Sequence, residues 1–351
     1  MSNNIKGNPF KYAITIDPKQ LLETAVGRSL KLSLPKIKTS KTERLRILLL
    51  NRIRYIEKNL VTNLLEFLRR MPDLDNMHEF YRAAVDVYFS IDEFKKTLGR
   101  ISGTIRVIEK LSEEYLRNIR GIKVNIYLPE TFFVRHLKKL WRQYLARMNS
   151  FIYEISEAFD YLNSAIKKLK ALPDYNPELE TIIVCGPPNS GKSSLVGKLS
   201  NARVQIAEYP FTTKNVVFGH IKLRSRFEKT IQIVDTPGLF DRPLGDRKKE
   251  ELLTLQSIRT IANGVIFLFD CSVERTLSAE QQIRIYQEVT SFLRNSKIIA
   301  GLNKIDIMDE KVYSAIYDFI TRDINIKPIP LSIKQSIGLD QILSEIERLF
   351  G

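Results

Sequence analysis

Cysteine, histidine and tryptophan are scarce in this 351-residue chain, which holds two, three and one of them. Two cysteines, Cys185 and Cys271, do not make a disulfide framework and read as buried, unpaired thiols at strand ends. The histidines, His78, His136 and His220, are scattered and give no metal-ligand spacing. No apolar run approaches the roughly 18 residues needed to span a bilayer, so an integral membrane protein is excluded. The N-terminal residues MSNNIKGNPF lack the apolar core of a secretory signal. A reducing, cytoplasmic compartment is expected. Internal repeats and low-complexity tracts are also missing.

Charge is present in excess but unevenly. Residues 1 to 170 hold 32 Lys and Arg against 18 Asp and Glu, a balance of +14, whereas residues 171 to 351 hold 23 against 22, a balance of +1. A concentrated positive half suits phosphate-rich polymers or anionic surfaces, and a near-neutral half suits a small ligand in a dedicated site.

The apolar pattern changes at the same place. Residues 44 to 71 put Leu45, Leu48, Leu49, Ile53, Ile56, Leu60, Leu64, Phe67 and Leu68 three and four apart, ahead of Pro72. That spacing predicts an amphipathic helix with a stop. Similar faces run from Phe80 to Phe94 before Gly99, and from Ile105 to Ile119 before Gly121. From Glu130 to Lys170 one face continues without glycine or proline, which predicts one long helix. A short helix is expected at 18–28. These elements predict an all-α bundle over residues 1–171.

Leu172-Pro-Asp-Tyr-Asn-Pro177 interrupts this pattern, and beyond it β-branched runs alternate with helical ones: 181–185, 216–223, 230–235, 264–270, 297–302 and 328–332. The alternation predicts an α/β domain over 172–351, with a mostly parallel six-stranded sheet and helices on both faces.

The first run leads into Gly186-Pro187-Pro188-Asn189-Ser190-Gly191-Lys192-Ser193, with Ser194 and a helical pattern behind it. This is the G-x-x-x-x-G-K-S phosphate loop. Its glycines let backbone amides approach phosphates, Lys192 reaches the β and γ oxygens, and the Ser193 hydroxyl ligates Mg²⁺. Another run ends in Asp235-Thr236-Pro237-Gly238, where the carboxylate can hold Mg²⁺ through water and the Gly238 amide can meet the γ-phosphate. Asn303-Lys304-Ile305-Asp306 follows a further strand. Asp306 can accept two hydrogen bonds from guanine N1–H and its 2-amino group, which adenine cannot supply, while the Lys304 stem lies along the base. Ser332, Ile333 and Lys334 end the last strand, where backbone amides meet the guanine O6. The ligands expected are GTP or GDP with Mg²⁺.

Between these motifs lies Tyr209-Pro-Phe-Thr-Thr213, and Gly238 continues as Leu239-Phe-Asp-Arg-Pro-Leu244. On these residues the chain resembles the Obg-related group of translation-associated GTPases, and within it the nucleolar GTP-binding protein (Nog) family. An N-terminal helical bundle of this size also belongs to that family. The resemblance implies a GTP-hydrolysing P-loop switch acting in large ribosomal subunit assembly. Its implied partners are the large subunit or its precursor, rRNA and other assembly factors. The chain stops at Gly351 with the last helix, which implies a minimal, archaeal-like form.

Within the first switch, Thr213 is the expected Mg²⁺ ligand and catalytic hydroxyl, with Thr212 the alternative. Leu239 stands where better-known switch GTPases have a glutamine that orients water, so slow intrinsic hydrolysis is expected. Asn189 is a candidate K⁺ ligand or a turn asparagine. Arg242 and Arg247 are internal arginine fingers or solvated arginines. In the basic half, the span from Arg28 to Lys58 carries ten cations and two anions. Arg135 to Arg147 carries five cations and no anion, interleaved with aromatics. Phosphate contact with base stacking fits the second stretch. Core aromatics beside solvated charge are the alternative, as is a lipid-docking bundle or a nucleotide-stabilised scaffold.

Overall fold

The computed structural model describes residues 7–34, 38–123, 127–200, 205–207, 216–223, 229–236, 238–240, 255–256 and 258–351. They fall into two compact units. One comprises Phe10–Asp75 and Phe89–Lys170; the other comprises Asn76–Tyr88, Ala171–Gly351 and the N-terminal residues through Pro9.

In the helical unit, α1 (Pro18–Leu30) starts where Asp17 accepts from the amides of Lys19 and Gln20. Helix α2 (Lys41–Arg69) starts where Ser40 accepts from Glu43 N, an N-cap that satisfies one of the first turn's orphan donors. It buries Leu48, Leu49, Ile53, Ile56, Leu60, Leu64 and Phe67, the face foreseen from the spacing.

Two boundaries differ from the expectation. The chain does not stop at Gly99; it breaks at Ser90, where φ is 55°, between α3 (Glu79–Phe89) and α4 (Ile91–Arg120). Helix α4 runs through both Gly99 and Gly103. Each interior glycine costs about 1 kcal/mol relative to alanine. That is outweighed by burial of Phe94, Ile101, Ile105, Ile108 and Ile119.

The single helix expected over 130–170 is two, α5 (Glu130–Glu154) and α6 (Ser156–Lys170). At the junction the Ile155 amide reaches the Phe151 and Tyr153 carbonyls, and Ser156 Oγ donates to Tyr153 O at 2.8 Å. A serine that bonds back to the preceding turn competes with the backbone ladder, and no glycine or proline marks it in the sequence.

The second unit holds the sheet. Its order is β2-β3-β4-β1-β5-β6-β7. The strands are β1 (Thr181–Cys185), β2 (Gln205–Ala207), β3 (Val216–Leu223), β4 (Lys229–Asp235), β5 (Gly264–Asp270), β6 (Lys297–Asn303) and β7 (Ile329–Pro330). Pairs β2–β3 and β3–β4 are antiparallel and all the others parallel. The six expected strands are present, and β2 is a seventh at the edge, too short at three residues to show a period. Strands β1 and β5 are buried along their whole length, as a sheet covered on both faces requires. Helices α7 (Lys192–Leu199), α8 (Ala279–Phe292), α9 (Glu310–Asp318) and α10 (Leu339–Phe350) follow in order. Helix α10 seats Ile342, Ile346 and Phe350 in the core with Ile182, Ile266 and Ile299.

Helix α3 serves this unit. The Tyr81 hydroxyl donates to Pro173 O at 2.9 Å and accepts from Tyr175 N at 2.8 Å, and Phe80 meets Tyr175 and Phe218 edge-on or tilted. The segment after Leu172 is thereby anchored rather than free.

Candidate functional site

The motif residues gather at the carboxyl ends of β1, β4, β6 and β7, the crevice where ligands of open α/β sheets bind. The phosphate loop owes its path to two glycines. Gly186 has φ 141°, and a Cβ there would lie 2.3 Å from the Leu268 carbonyl oxygen; Gly191 has φ 97°, and its Cβ would lie 2.6 Å from Asn303 Nδ2. No other residue fits either place without moving backbone or neighbour. Asn189 also has a positive φ, 62°, which asparagine tolerates and which the turn role explains.

Lys192, only 8% exposed, donates from Nζ to Gly186 O at 3.0 Å and Pro187 O at 2.6 Å. The loop thus bends round the ammonium that a triphosphate would engage. Ser193 lies in the first turn of α7 and its hydroxyl donates to Asp235 Oδ2. Asp235 ends β4 fully buried. A hydroxyl beside a carboxylate is a hard-oxygen pair of the kind Mg²⁺ takes. Beyond it Gly238 has φ 81°, a left-handed conformation that glycine adopts freely, and Leu239 is buried.

The Asn303 side chain joins two loops. Its Nδ2 donates to Ser190 O at 2.8 Å, and its Oδ1 accepts from Ile333 N at 3.1 Å. Lys304 stands at φ 65° and donates from Nζ to Asp270 Oδ2 at 2.7 Å. Around them a cavity of about 340 Å³ is lined by Gly191, Ser194, Asn303, Asp306, Ile333 and Lys334, among others. Asp306 is exposed in a short 3₁₀ turn, its carboxylate accessible to a base. Strand β7 ends at Pro330, so Ser332, Ile333 and Lys334 lie in the turn after it, closed by Ser332 and Ile337 bonding reciprocally.

Some expected residues lie outside the described ones: Tyr209 to Thr213 with both candidate threonines, Pro237, and the second-switch arginines Arg242 and Arg247. Asp270 was missed in the sequence. It is 2% exposed, accepts from Ser272 N at 3.0 Å and Ser272 Oγ at 2.6 Å, and holds Lys304. Its signal is a carboxylate closing a buried strand, GVIFLFD, as Asp235 closes TIQIVD. Lys198 and Ile307, which also line the cavity, carried no signal. Both cysteines are buried, and burial pushes the Cys185 thiol up and the Cys271 thiol up to about 12. No group of three or more His, Cys, Asp or Glu could hold a metal among the described residues. Nor is any described helix long and apolar enough to cross a membrane.

Comparison with known proteins gives matches to two family models. Residues 11–175 match the NOG1 N-terminal helical domain, and residues 181–304 match the 50S ribosome-binding GTPase model. The chain is 32% identical over 309 residues to the uncharacterized protein MJ1408 of Methanocaldococcus jannaschii, covering 87% of this chain and 83% of that protein. It is 28% identical over 316 residues to nucleolar GTP-binding protein 1 of Drosophila melanogaster, covering 89% of this chain and 47% of that one. The chain therefore spans about half the length of the fly relative. Among solved structures, nucleolar GTP-binding protein 1 of Plasmodium falciparum is 29% identical, with a TM-score of 0.41 over 51% of this chain and 89% of that one.

Proposed function

Because the chain belongs to the nucleolar GTP-binding protein (Nog) family, we propose that it binds GTP, hydrolyses it to GDP and phosphate, and uses the difference as a switch in large ribosomal subunit assembly. The observation that carries the nucleotide half is Asn303, which links the phosphate loop to the Ser332–Lys334 turn around one cavity containing Asp306.

In this reading Gly186, Asn189, Ser190, Gly191 and Ser194 cradle the phosphates by backbone and helix-end donors, while Pro187 and Pro188, which have no N–H, shape the loop that presents them. Lys192 neutralises the β and γ oxygens. Asp306 selects guanine, Lys304 flanks the base, and the Lys334 amide faces O6, the Ser332 and Ile333 amides being bonded to Ile337 O and Asn303 Oδ1. Ser193, Asp235 and Thr213 would hold Mg²⁺, which when bound neutralises charge developing on the phosphoryl oxygens. Gly238 offers its amide to the γ-phosphate. Asn189 would also serve K⁺. Thr213→Ala should spare GDP while weakening GTP, and equal loss of both would show that the first switch is misplaced.

With Leu239 in place of a water-orienting side chain, turnover of the isolated protein should be slow, roughly 10⁻⁴ to 10⁻² s⁻¹. A single-turnover assay with and without large subunits, in potassium and in sodium, tests both the rate and the ion. Stimulation by potassium that survives Asn189→Ala removes the ion role.

The division at residues 171 and 172 is part of the proposal: a cytoplasmic protein whose helical half contacts rRNA and whose other half reads nucleotide. The acid-free run from Arg135 to Arg147 supports the RNA contact, because each phosphate neutralised releases counterions. With about four contacts, log affinity should fall against log salt with a slope of roughly −3 to −4. Sedimentation with large subunits in GDP and in a non-hydrolysable GTP analogue, across a salt series, is the test. Binding indifferent to both salt and nucleotide refutes the switch.

A further inference from the structure

Helix α5 presents two different clefts on its two flanks, and a single row of side chains separates them. On one flank lies a cleft of about 530 Å³ lined by Arg135, Lys138, Lys139, Arg142 and Lys41. On the other lies a cleft of about 1020 Å³ lined by Leu128, Phe132, Phe133, His136 and Leu140, with Arg117 and Lys123 at its edge. At 100° per residue, Phe132 and Lys139 fall within about 20° of each other on the ridge between the clefts, with His136 and Leu140 to one side and Arg135 and Arg142 to the other.

The carboxylates within these clefts are already engaged. Glu130 caps α2, its Oε1 accepting from Thr42 N at 2.8 Å and Thr42 Oγ1 at 3.0 Å, which lowers its pKa. Glu114 is paired with Arg147 at 3.2 Å. Both clefts therefore present net positive charge. Phe132, although it meets the Phe133 ring edge-on at 5.6 Å, is 53% exposed. A large aromatic left that exposed, one side chain away from an acid-free cationic row, is more than phosphate neutralisation needs.

We infer that this ridge binds an unpaired stretch of RNA, with a base stacked on Phe132 in the apolar cleft and the adjoining phosphates on Lys138, Lys139 and Arg142. The inference rests on the RNA reading proposed above and adds to it the kind of RNA and the residue that recognises it. A duplex keeps its bases stacked on one another and offers an aromatic side chain phosphates, ribose and base edges but no free base face. A single strand offers a free π-face at each nucleotide, next to its phosphate. An anionic bilayer or an acidic peptide would use the cations but not a planar stacking site.

The test uses the full chain, whose fold is checked by far-ultraviolet circular dichroism and by thermal melting. The probes are a 12-nucleotide single-stranded RNA carrying one 2-aminopurine, the same sequence as a perfect duplex, and vesicles containing one-third phosphatidylserine. The wild type should bind the single strand at least about tenfold tighter than the duplex, with 2-aminopurine fluorescence quenched by stacking. Phe132→Ala should lose about tenfold on the single strand, abolish the extra quenching and leave duplex binding unchanged, and Phe132→Trp should restore both. Lys138→Ala with Lys139→Ala and Arg142→Ala should weaken single strand and duplex alike and flatten the salt slope.

If the triple variant weakens both RNAs while Phe132→Ala changes neither, the RNA contact stands and the base site is wrong. If the triple variant changes nothing, the RNA reading of this face falls as well. Vesicle binding that exceeds single-strand binding and survives Phe132→Ala assigns the ridge to a membrane surface and overturns the inference.

Discussion

Asn303 and Ser190 lie 113 residues apart in the sequence, yet the Asn303 amide donates to the Ser190 carbonyl at 2.8 Å. Because the same side chain also accepts from Ile333 N, one asparagine sets the spacing of the phosphate loop and the base-facing turn. Asn303→Ala leaves a buried carbonyl and a buried amide without that partner, at about 1–3 kcal/mol each. The expected result is a lower melting temperature and a parallel loss of GTP and GDP affinity by calorimetry. Unchanged affinity for both nucleotides would mean that the two loops are fixed by other contacts.

Asp306→Asn replaces an acceptor by a group that also donates. Guanine nucleotides should weaken by a factor of about 100 or more, and xanthosine nucleotides should gain, because a pocket built on polar pairing rejects the ligand that leaves its partner unpaired. Competition binding with GTP, XTP and ATP decides it. Wild-type protein that takes ATP within tenfold of GTP contradicts the assignment.

The Lys304–Asp270 pair is asymmetric, with Lys304 25% and Asp270 2% exposed at the side chain. Removing the lysine leaves a carboxylate buried with only the Ser272 donors, whereas removing the charge from Asp270 lets the lysine turn to water. Lys304→Met should therefore destabilise by about 3 kcal/mol and Asp270→Asn by distinctly less. Both should weaken guanine nucleotides if Lys304 flanks the base as proposed, since one variant removes the lysine and the other releases it from Asp270. Urea melts of the two single variants and the double variant, read as a cycle, measure the coupling; equal losses from the two single variants would contradict the asymmetry.

Ser193→Ala removes the hydroxyl that donates to Asp235. The Asp235 carboxylate that loses this donor is fully buried. We expect the Mg²⁺-dependent part of GTP affinity to disappear while GDP without metal binds nearly as before. A titration of both nucleotides with Mg²⁺ and with EDTA tests this, and an intact Mg²⁺ effect would place the ion elsewhere.

Both cysteines should resist alkylation in the folded protein. Burial pushes the Cys271 thiol from an ordinary 9.0 up to about 12, and pushes Cys185 in the same direction. The folded state therefore keeps its protons where the unfolded chain gives them up. The contribution to stability is complete below about pH 9 and is lost as pH rises from about 9 towards 12. Thiol titration should find none of the two thiols reactive at pH 8 and both after denaturation. A thiol that reacts quickly in the folded protein would show that its strand end opens.

The sequence by itself determined the order of the parts and the motifs they carry. Lys192, Ser193, Asp235, Asn303 and Asp306 were legible because each lies in a short motif just after a β-branched run or at the start of a helix, and period and residue type are local properties. The family resemblance was legible on Tyr209 to Thr213 and Leu239 to Leu244 for the same reason. Helix ends were less so: Gly99 looked like a stop and is interior, because a buried face decides a helix more strongly than one glycine does. Ser90 and Ser156 interrupt helices without any breaker residue, by a backbone conformation and by a back-bond that only the packed chain fixes.

Tertiary structure alone decided the contacts between distant segments. Asp270 beneath Lys304, the reach of Asn303 to Ser190, and Tyr81 bonded to Pro173 and Tyr175 join residues 34, 113 and more than 90 positions apart. Hydrogen-bond partners across such separations leave no period in the sequence, since they depend on how strands are ordered in the sheet and how loops meet at its edge.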